Sequence, residues 1–400
     1  MKNPKIRFKG CTEDWEQRKL NEIAEKVTEK NRNNLFDEPF TNSAEQGIIS
    51  QKDYFDRDVV NEENLDGYYV VRDDDFVYNP RVSVTAPVGP INRNKLGRYG
   101  VMSPLYTVFR THDINTTYLE HYFKTKCWHL FMKMNGDSGA RFDRFSIATS
   151  LFMEMPIPYP NLDEQAKIGG YFDDLNRLIT LHQRKCEETK KLKKYMLQKM
   201  FPKDGATVPE IRFSGFTEDW EQRKLGDIIV DYVEKNPEDE ELPVLTSSRQ
   251  GIQRQDEHFG SEQKHDTTDY NVIPKGYCTY RNRSDDKSFT FNVNDCVERG
   301  IVSKFYPVFS IENGNAKFIT EYLNTNAEMR NKIAILAVGT SQVVLSLTNL
   351  KALELFVPSK EEQDKIGKAI VSLDHLITLH QRKCDELQNI KKYMLQNMFV

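Results

Sequence analysis

The chain has 400 residues, too many for one average hydrophobic core, and this length suits two domains with connecting elements. Hydrophobic residues make up 38% of the chain and charged residues 29%, which is the composition of a folded protein rather than a disordered one. The formal net charge of −4 argues against a uniformly basic nucleic-acid binder, so any DNA-binding surface has to be local.

The spacing of apolar residues, cysteines and histidines excludes further classes of protein. No apolar run approaches the roughly 18 residues that span a bilayer, and the polar start MKNPKIRFKG lacks the core of a signal peptide. The six cysteines include no C-x-x-C pair, and the eight histidines form no H-x-x-x-H ligand spacing. We therefore expect a cytoplasmic protein with reduced thiols, no structural metal and no membrane partner.

Two sequence blocks occur twice in the chain. TEDWEQRKL stands at residues 12–20 and again at 217–225, an offset of 205, whereas LITLHQRKC stands at 178–186 and again at 376–384, an offset of 198. The segment between the blocks is therefore seven residues longer in the first copy (205 − 198 = 7). Such a duplication predicts one architecture that carries two different middle segments.

The middle segments predict mixed α+β domains. Runs rich in β-branched and aromatic residues and broken by Gly, Pro and Asn, such as FVYNPRVSVTAPVG, favour short strands, while TTYLEHYFKT favours a helix. The two copies keep a skeleton in common here, seen in the Y-x-x-R sequences at residues 78–81 and 280–283.

Each repeat ends in a predicted long helix. N-x-x-E at residues 161–164 and S-x-x-E at 359–362 have the form of a capping box directly after a proline. Apolar residues then follow at spacings of three and four, which indicates a coiled-coil seam, and we expect the two helices to pack on each other. The seam residues are Ile168, Phe172, Leu175, Ile179, His182, Cys186, Thr189, Leu192, Met196 and Met200, and in the second copy Ile366, Ile370, Leu373, Ile377, His380, Cys384, Leu387, Ile390, Met394 and Met398.

The duplicated unit resembles the specificity subunits of Type I restriction-modification systems over nearly the whole chain. The resemblance rests on the W-x-x-x-x-L block at residues 15–20 and on the EQ-x-x-I helix start, which recur in the second copy (Glu164, Gln165 and Ile168; Glu362, Gln363 and Ile366). It implies an α+β fold with an internal two-fold pseudo-repeat, in which two target-recognition domains are joined by two long antiparallel coiled-coil helices. It also implies that each domain reads half of a split, asymmetric double-stranded DNA target, and that two methyltransferase subunits flank the chain, with restriction subunits joining through the complex.

With this resemblance we divide the chain into six predicted parts. Residues 1–20 form an N-terminal segment and 21–160 the first target-recognition domain, followed by a helix over 161–203. Residues 204–225 form a linker with the repeated block, 226–358 the second target-recognition domain, and 359–400 the C-terminal helix.

The chain lacks the motifs of methyl transfer and of ATP binding. An adenine methyltransferase needs an Asp/Asn-Pro-Pro-aromatic block, and the nearest approach, Asn79-Pro80-Arg81, lacks the second proline and the aromatic residue. No G-x-x-x-x-G-K-[ST] phosphate loop is present in the sequence. We therefore expect a non-catalytic chain that binds no cofactor itself, with S-adenosylmethionine, ATP and magnesium bound by partner subunits.

Local charge selects the candidate DNA-binding residues. Residues 76–160 hold 10 Lys and Arg against 5 Asp and Glu, whereas 276–358 hold 9 against 8. Arginine makes bidentate contacts to guanine, and glutamine to adenine, although a phosphate contact or a solvated charge explains any one of these residues equally well. The candidates are Arg81, Arg93, Lys95, Arg98, Arg141 and Arg144 in the first domain, and Arg281, Arg283, Lys287, Ser341 and Gln342 in the second.

Two other functions stay open on the sequence alone. A scaffold without DNA-binding activity, in which the coiled coil joins two protein-binding lobes, agrees with the acidic net charge, and salt-dependent binding to duplex DNA separates it from a specificity subunit. A single-chain restriction-methylation enzyme needs cofactor and nuclease motifs for which this repeat leaves no room, and titration with S-adenosylmethionine tests it.

Overall fold

The computed structural model describes residues 3–54, 65–138, 143–203, 205–237, 240–249, 251–261 and 266–400. The chain divides into two compact units: unit 1 consists of residues 1–182 and 383–400, and unit 2 of residues 183–382. Each unit therefore combines a mixed domain with the first part of one long helix and the last part of the other. Among the described residues, none of the helices is long and apolar enough to cross a membrane.

The first repeat contains twelve strands and five α-helices within its described residues, besides the short 3-10 helices Leu20–Glu22 and Arg32–Asn34. In chain order these are β1 (Glu16–Lys19), β2 (Ala24–Lys26), β3 (Phe40–Ser43), β4 (Gly47–Ser50), α1 (Gln51–Tyr54), β5 (Tyr69–Val71), β6 (Phe76–Tyr78), β7 (Ile91–Arg93), β8 (Gly100–Met102), β9 (Thr107–Thr111), α2 (Thr116–Phe123), α3 (His129–Asn135), β10 (Asp137–Ser138), β11 (Phe145–Ser146), α4 (Thr149–Phe152), β12 (Pro156–Tyr159) and α5 (Leu162–Lys199).

The second repeat has the same sheet plan. Its elements are β13 (Glu221–Lys224), β14 (Ile229–Tyr232), β15 (Leu245–Ser248), β16 (Gly251–Arg254), α6 (Gln255–Phe259), β17 (Asn271–Pro274), β18 (Cys278–Tyr280), β19 (Arg283–Ser284), β20 (Phe291–Val293), β21 (Arg299–Val302), β22 (Val308–Ile311), α7 (Ala316–Thr325), α8 (Ala327–Leu336), β23 (Val343–Val344), α9 (Leu347–Lys351), β24 (Glu354–Val357) and α10 (Lys360–Asn397). The four-stranded sheets have the orders β2-β9-β6-β7 and β14-β22-β18-β20, and all strand pairs in them are antiparallel.

One of the two inner strands of each four-stranded sheet, β6 or β18, is buried on both faces. In β6, Phe76 and Tyr78 belong to the main core of unit 1, while Val77 points into a second cluster with Phe40 and Met102. This alternation follows from the period of two along a strand. The predicted mixed α+β fold with a duplicated domain is thereby confirmed.

The two long helices begin where the sequence predicts, but the glutamate of each capping box has a different role. Asn161 Oδ1 accepts a hydrogen bond from Glu164 N at 2.9 Å, as an N-cap should. The Glu164 carboxylate does not return to the cap. It forms a buried bidentate ion pair with Arg7 (2.9 and 2.7 Å) and accepts from Trp15 Nε1 at 3.1 Å, so it fixes the N-terminal segment to the helix start.

Glu362 repeats the same contact with Arg212 at 2.9 and 2.7 Å. The adjoining glutamines also have equal contacts, since Gln165 and Gln363 each accept a hydrogen bond from the asparagine that caps α2 or α7, at 2.9 and 3.1 Å. The EQ dipeptide is therefore a pair of structural links between the helix start and the mixed domain.

In both units the long-helix segments run in opposite directions. In unit 1, Phe172 stacks on Phe399 at 5.8 Å, while Ile179 further along α5 shares a cluster with Cys384. In unit 2, Cys186 Sγ lies 3.8 Å from Ile377 O, and Lys193 Nζ lies 2.7 Å from Asp374 Oδ1.

The predicted seam was wrong at one position in each helix. Leu192 is 49% exposed and Ile390 42% exposed, so neither is buried in the seam. A strict alternation of spacings of four and three, continued from the preceding seam residues, instead falls on Lys193 and Lys391. Lysine interrupts the apolar pattern, and for that reason the hydrophobic periodicity indicated the neighbouring leucine and isoleucine.

Candidate nucleic-acid interface

A buried tyrosine ends the inner strand β6 or β18 of each four-stranded sheet and positions the segment that follows. The Tyr78 hydroxyl donates to Val88 O at 2.9 Å, and the Tyr280 hydroxyl donates to Leu345 O at 3.0 Å. Burial raises the pKa of both phenols, so they act as hydrogen-bond donors. Three residues after each tyrosine the chain reaches an exposed arginine, Arg81 or Arg283, at the same place in the two repeats.

In unit 1 this segment pairs with the one that precedes β11. Val82 N donates to Asp143 O at 3.0 Å and Phe145 N donates to Pro80 O at 2.7 Å, which sets Arg81 opposite Arg144. Both arginines are exposed, and no carboxylate of the described residues lies within 4.0 Å of either guanidinium. The third arginine predicted here, Arg141, lies outside the described residues.

In unit 2 the equivalent pairing is between β19 and β23, with Arg283 opposite Val344. The Arg283 guanidinium lies 4.1 Å above the ring of Phe305, which fixes its direction while its donors stay exposed. The two arginine-bearing segments thus occupy the same architectural position, and we call them the unit 1 edge (79–84 with 143–146) and the unit 2 edge (281–288 with 338–346).

The two residues predicted to read bases in the second domain lie on a tight hairpin of the unit 2 edge. Val338 and Val344 exchange backbone hydrogen bonds of 3.0 and 2.8 Å, so residues 339–343 form the turn. Gly339 has a φ of +137°, and a Cβ there would lie 2.5 Å from Gln342 O. Ser341 and Gln342 are exposed, and Gln342 Nε2 donates to Asp285 Oδ1 at 3.2 Å.

Arg281 and Lys287 lie on the same edge and are exposed. The loop that carries Lys287 adopts a positive φ of 61° at that residue. The loop is held by Ser284 Oγ, which accepts from Ser288 N at 3.0 Å and donates to Asp286 at 2.8 Å. The structure therefore brings all five predicted residues of the second domain to one edge.

Three predicted residues of the first domain are instead engaged with carboxylates. The Arg93 side chain is 8% exposed, with its guanidinium 2.8 Å from Glu120. Lys95 lies 3.4 Å from the same carboxylate, and Arg98 forms a bidentate pair with Glu38 at 2.7 and 2.8 Å. Their binding to DNA stays a prediction, and local carboxylates already bind all three side chains.

Two exposed residues, one beside the unit 2 edge and one on the unit 1 edge, were missed by the sequence analysis. Arg249, 81% exposed, follows the β15 strand and lines one cleft with Arg281 and Arg283. A repeated Q-G-I at residues 46–48 and 250–252 marks this hairpin in both copies and was available as a signal. Val84 is fully exposed (102%) beside Arg81, and no pattern indicated it because its β-branched surroundings favoured a half-buried strand.

The described part of the chain contains no group of three or more His, Cys, Asp or Glu side chains that would hold a metal ion. The duplicated frame therefore carries two edges with exposed arginines and different neighbouring side chains. The family model for the Type I restriction modification DNA specificity domain matches residues 12–191 and 217–389, once in each repeat. The chain therefore belongs to this family.

Curated relatives agree with this assignment, and a solved structure has the same fold. The chain is 23% identical over 278 residues to the putative type I restriction enzyme MjaX specificity subunit of Methanocaldococcus jannaschii. This match covers 62% of this chain and 60% of that protein. It is 22% identical to the MjaVIII specificity subunit of the same organism, over 84% of this chain and 86% of that one. The crystal structure of a Type-I restriction-modification system S subunit from M. genitalium covers 100% of this chain and 99% of its own, with a TM-score of 0.59 and 13% identity, and supports the fold.

Proposed function

We propose that this chain is the sequence-reading, non-catalytic subunit of a Type I restriction-modification complex, and that each unit reads one half of a split DNA target through its own edge. One observation carries the proposal: the same frame, a buried tyrosine followed by a braced pair of segments, presents exposed Arg81 and Arg144 in unit 1 but Arg283, Ser341 and Gln342 in unit 2. Because the same backbone arrangement carries different exposed side chains in the two units, each unit suits a different half-site.

The chemistry at the two edges suits contacts in the major groove. Guanidinium groups without a local carboxylate are available for guanine O6 and N7 or for phosphates. The exposed Gln342 amide matches adenine N6 and N7 once its Nε2 exchanges Asp285 Oδ1, 3.2 Å away, for the base. Rigid backbone pairing behind these side chains lowers the conformational entropy that binding would cost. The scaffold alternative, which assigns no DNA contact to the edges, is not favoured by membership of the DNA specificity family.

We further propose that exposed apolar residues of the long helices bind the partner subunits. Each unit exposes two leucines from one long helix, and a leucine or isoleucine with a tyrosine from the other. In unit 1 these are Leu178, Leu181, Ile390 and Tyr393, and in unit 2 they are Leu376, Leu379, Leu192 and Tyr195, all between 40% and 57% exposed. Large exposed apolar side chains repeated in both units support two copies of one partner, the methyltransferase subunit, with restriction subunits joining through the complex. S-adenosylmethionine, ATP and magnesium are then bound by those partners.

Fluorescence anisotropy on a duplex that carries the methylated target, identified by methylome sequencing, tests the proposal. We expect affinity that falls steeply with salt, and a loss with Arg81→Ala and with Arg283→Ala. Arg98→Ala is the matched control, because Glu38 already binds that guanidinium.

Methyl transfer should be absent with the chain alone and appear with two methyltransferase copies. Equal affinity for target and unrelated DNA, or methyl transfer by the chain alone, would contradict the proposal.

A further inference from the structure

The seam lysines Lys193 and Lys391 occupy equivalent positions in the two long helices, 198 residues apart, but have different surroundings. In unit 2, Lys193 Nζ lies 2.7 Å from Asp374 Oδ1 and 3.0 Å from Glu321 Oε1. Lys317 closes the cluster at 2.8 Å from Asp374 and 3.1 Å from Glu321. Two lysines therefore face two carboxylates, and the charge is balanced within the unit.

In unit 1 the two carboxylates are missing from the equivalent positions. Asn176 stands where the second repeat has Asp374, and His121 stands where it has Glu321. No carboxylate of the described residues lies within 4.0 Å of Lys391 Nζ. The carboxylates of Glu120 and Asp173 act on Lys391 from beyond that distance, and they are bound by Arg93 at 2.8 Å and by His121 at 3.1 Å. Lys391 is thus a half-buried cation that forms no ion pair within 4.0 Å among the described residues, and a desolvated charge without a close partner is unfavourable.

A second observation indicates a ligand. Lys391 lines an open cleft of unit 1 with a volume of about 1000 Å³, which is room for several side chains rather than for one ion. Burial lowers the pKa of Lys391 and of Lys124 in this cleft. Four lysines and two apolar side chains contribute to the lining: Lys124, Lys126, Lys391 and Lys392, with Ile179 and Leu395.

The mixed lining favours a protein segment over a nucleic acid. A phosphate backbone offers charge and sugar, whereas apolar side chains beside lysines match a segment with both carboxylates and apolar residues. The cleft lies between helix residues of unit 1 and the 124–127 turn, and it includes no residue of the unit 1 edge.

We propose that this cleft binds an acidic, amphipathic segment of the methyltransferase subunit, whose carboxylates take the place that Asp374 and Glu321 fill in unit 2. The inference rests on the proposed function, since it assigns the binding mode of that partner. Because Lys193 is already paired, only unit 1 offers this contact. The two methyltransferase copies therefore bind with unequal affinity, the tighter one at unit 1.

An isosteric substitution tests the proposal on the full-length chain. Asn176→Asp places a carboxylate where unit 2 carries Asp374, so it should pair with Lys391 and displace the partner's carboxylate. Stepwise binding of the purified methyltransferase subunit, followed by calorimetry and native mass spectrometry, should show one step weakened about tenfold and the other unchanged. Lys391→Gln should weaken the same step, and the double variant should show no further loss.

Matched controls separate this effect from added charge. Asn389→Asp adds the same charge at an exposed position of α10 outside the cleft lining, and Asp374→Asn removes the counterion in unit 2, so both should leave the tighter step unchanged. Carbodiimide coupling of the wild-type complex should join Lys391 or Lys392 to a carboxylate of the methyltransferase subunit.

Unchanged stepwise affinities with Asn176→Asp would overturn the proposal and leave the proposed function intact, provided that the wild-type chain still binds two copies. A loss of DNA affinity by Asn176→Asp without the methyltransferase would identify nucleic acid as the occupant and overturn it as well. A wild-type chain that binds no methyltransferase would contradict the proposed function itself.

Discussion

The two units share a frame and differ at their exposed edges and in one charged cluster. The ion pairs Arg7–Glu164 and Arg212–Glu362 have the same geometry, and the asparagine caps of α2 and α7 contact the glutamines of the long helices in the same way. The edges and the seam lysines, in contrast, have different neighbours. Where the repeats agree, the residues hold the domain on its helix, and the edges and the unit 1 cleft, where the repeats diverge, are the places for which we propose binding partners.

The substitutions with the largest expected effect remove the buried ion pairs that the two units share. Glu164→Ala leaves the mostly buried Arg7 without its carboxylate, and removing one partner of a buried pair costs about 3–5 kcal/mol. We expect Glu362→Ala to cost about 1 kcal/mol less in unit 2, because Trp15 Nε1 bonds to Glu164 while buried Trp220 Nε1 has no partner in the described structure. Hydrogen exchange resolved for each unit measures both losses, and equal losses would contradict the assigned role of Trp15.

The next effect concerns the edges. Arg283→Ala and Arg81→Ala should each weaken binding to the target by about 1–3 kcal/mol, and each should relax specificity in a different half-site. Gly339→Ala should act like Arg283→Ala, because an L residue at φ +137° strains the hairpin that carries Gln342. Competition binding with half-site variants is the measurement. A change of specificity in the same half-site for both arginines would show that the units do not read separately.

The sequence predicted the frame well because its residues are constrained by local rules. The starts of the long helices were predicted to within two residues. The duplicated blocks, the prolines and the N-x-x-E and S-x-x-E sequences indicated them. The strands of two to five residues carry too little periodicity to give their pairing, so the segments opposite Arg81 and Arg283 were not predictable. Arg93 and Arg98 were chosen on charge alone, and only the fold brings Glu120 and Glu38 to them.

A smaller difference is expected between the seam lysines. Lys193→Gln leaves Asp374 and Glu321 with one lysine between them and should destabilise unit 2 by about 1–2 kcal/mol. Lys391→Gln removes a half-buried cation that has no ion pair within 4.0 Å and should leave the stability of unit 1 unchanged or slightly raised. Hydrogen exchange of the free chain compares the two. Equal destabilisation would show that Lys391 has a counterion in solution.

The smallest effect depends on pH. Burial lowers the pKa of His121, partly offset by its hydrogen bond to Asp173 at 3.1 Å, with Glu120 and Lys391 as the other charged neighbours. The unfolded state therefore takes up a proton first, so unit 1 should lose stability as the pH falls below about 6.5, by about 1 kcal/mol or less. His121→Gln should remove this dependence in exchange rates compared at pH 7 and 5.5. A loss that persists in this variant would assign the dependence to another group.

The central claim is that each unit reads its own half of the target, and a domain exchange tests it most directly. Residues 21–160 are replaced by the corresponding domain of another member of the family, and the variant is expressed with the methyltransferase partner. Methylome sequencing should show a target altered in one half, with the other half and the activity retained. A target altered in both halves, or in neither while methylation persists, would contradict the account.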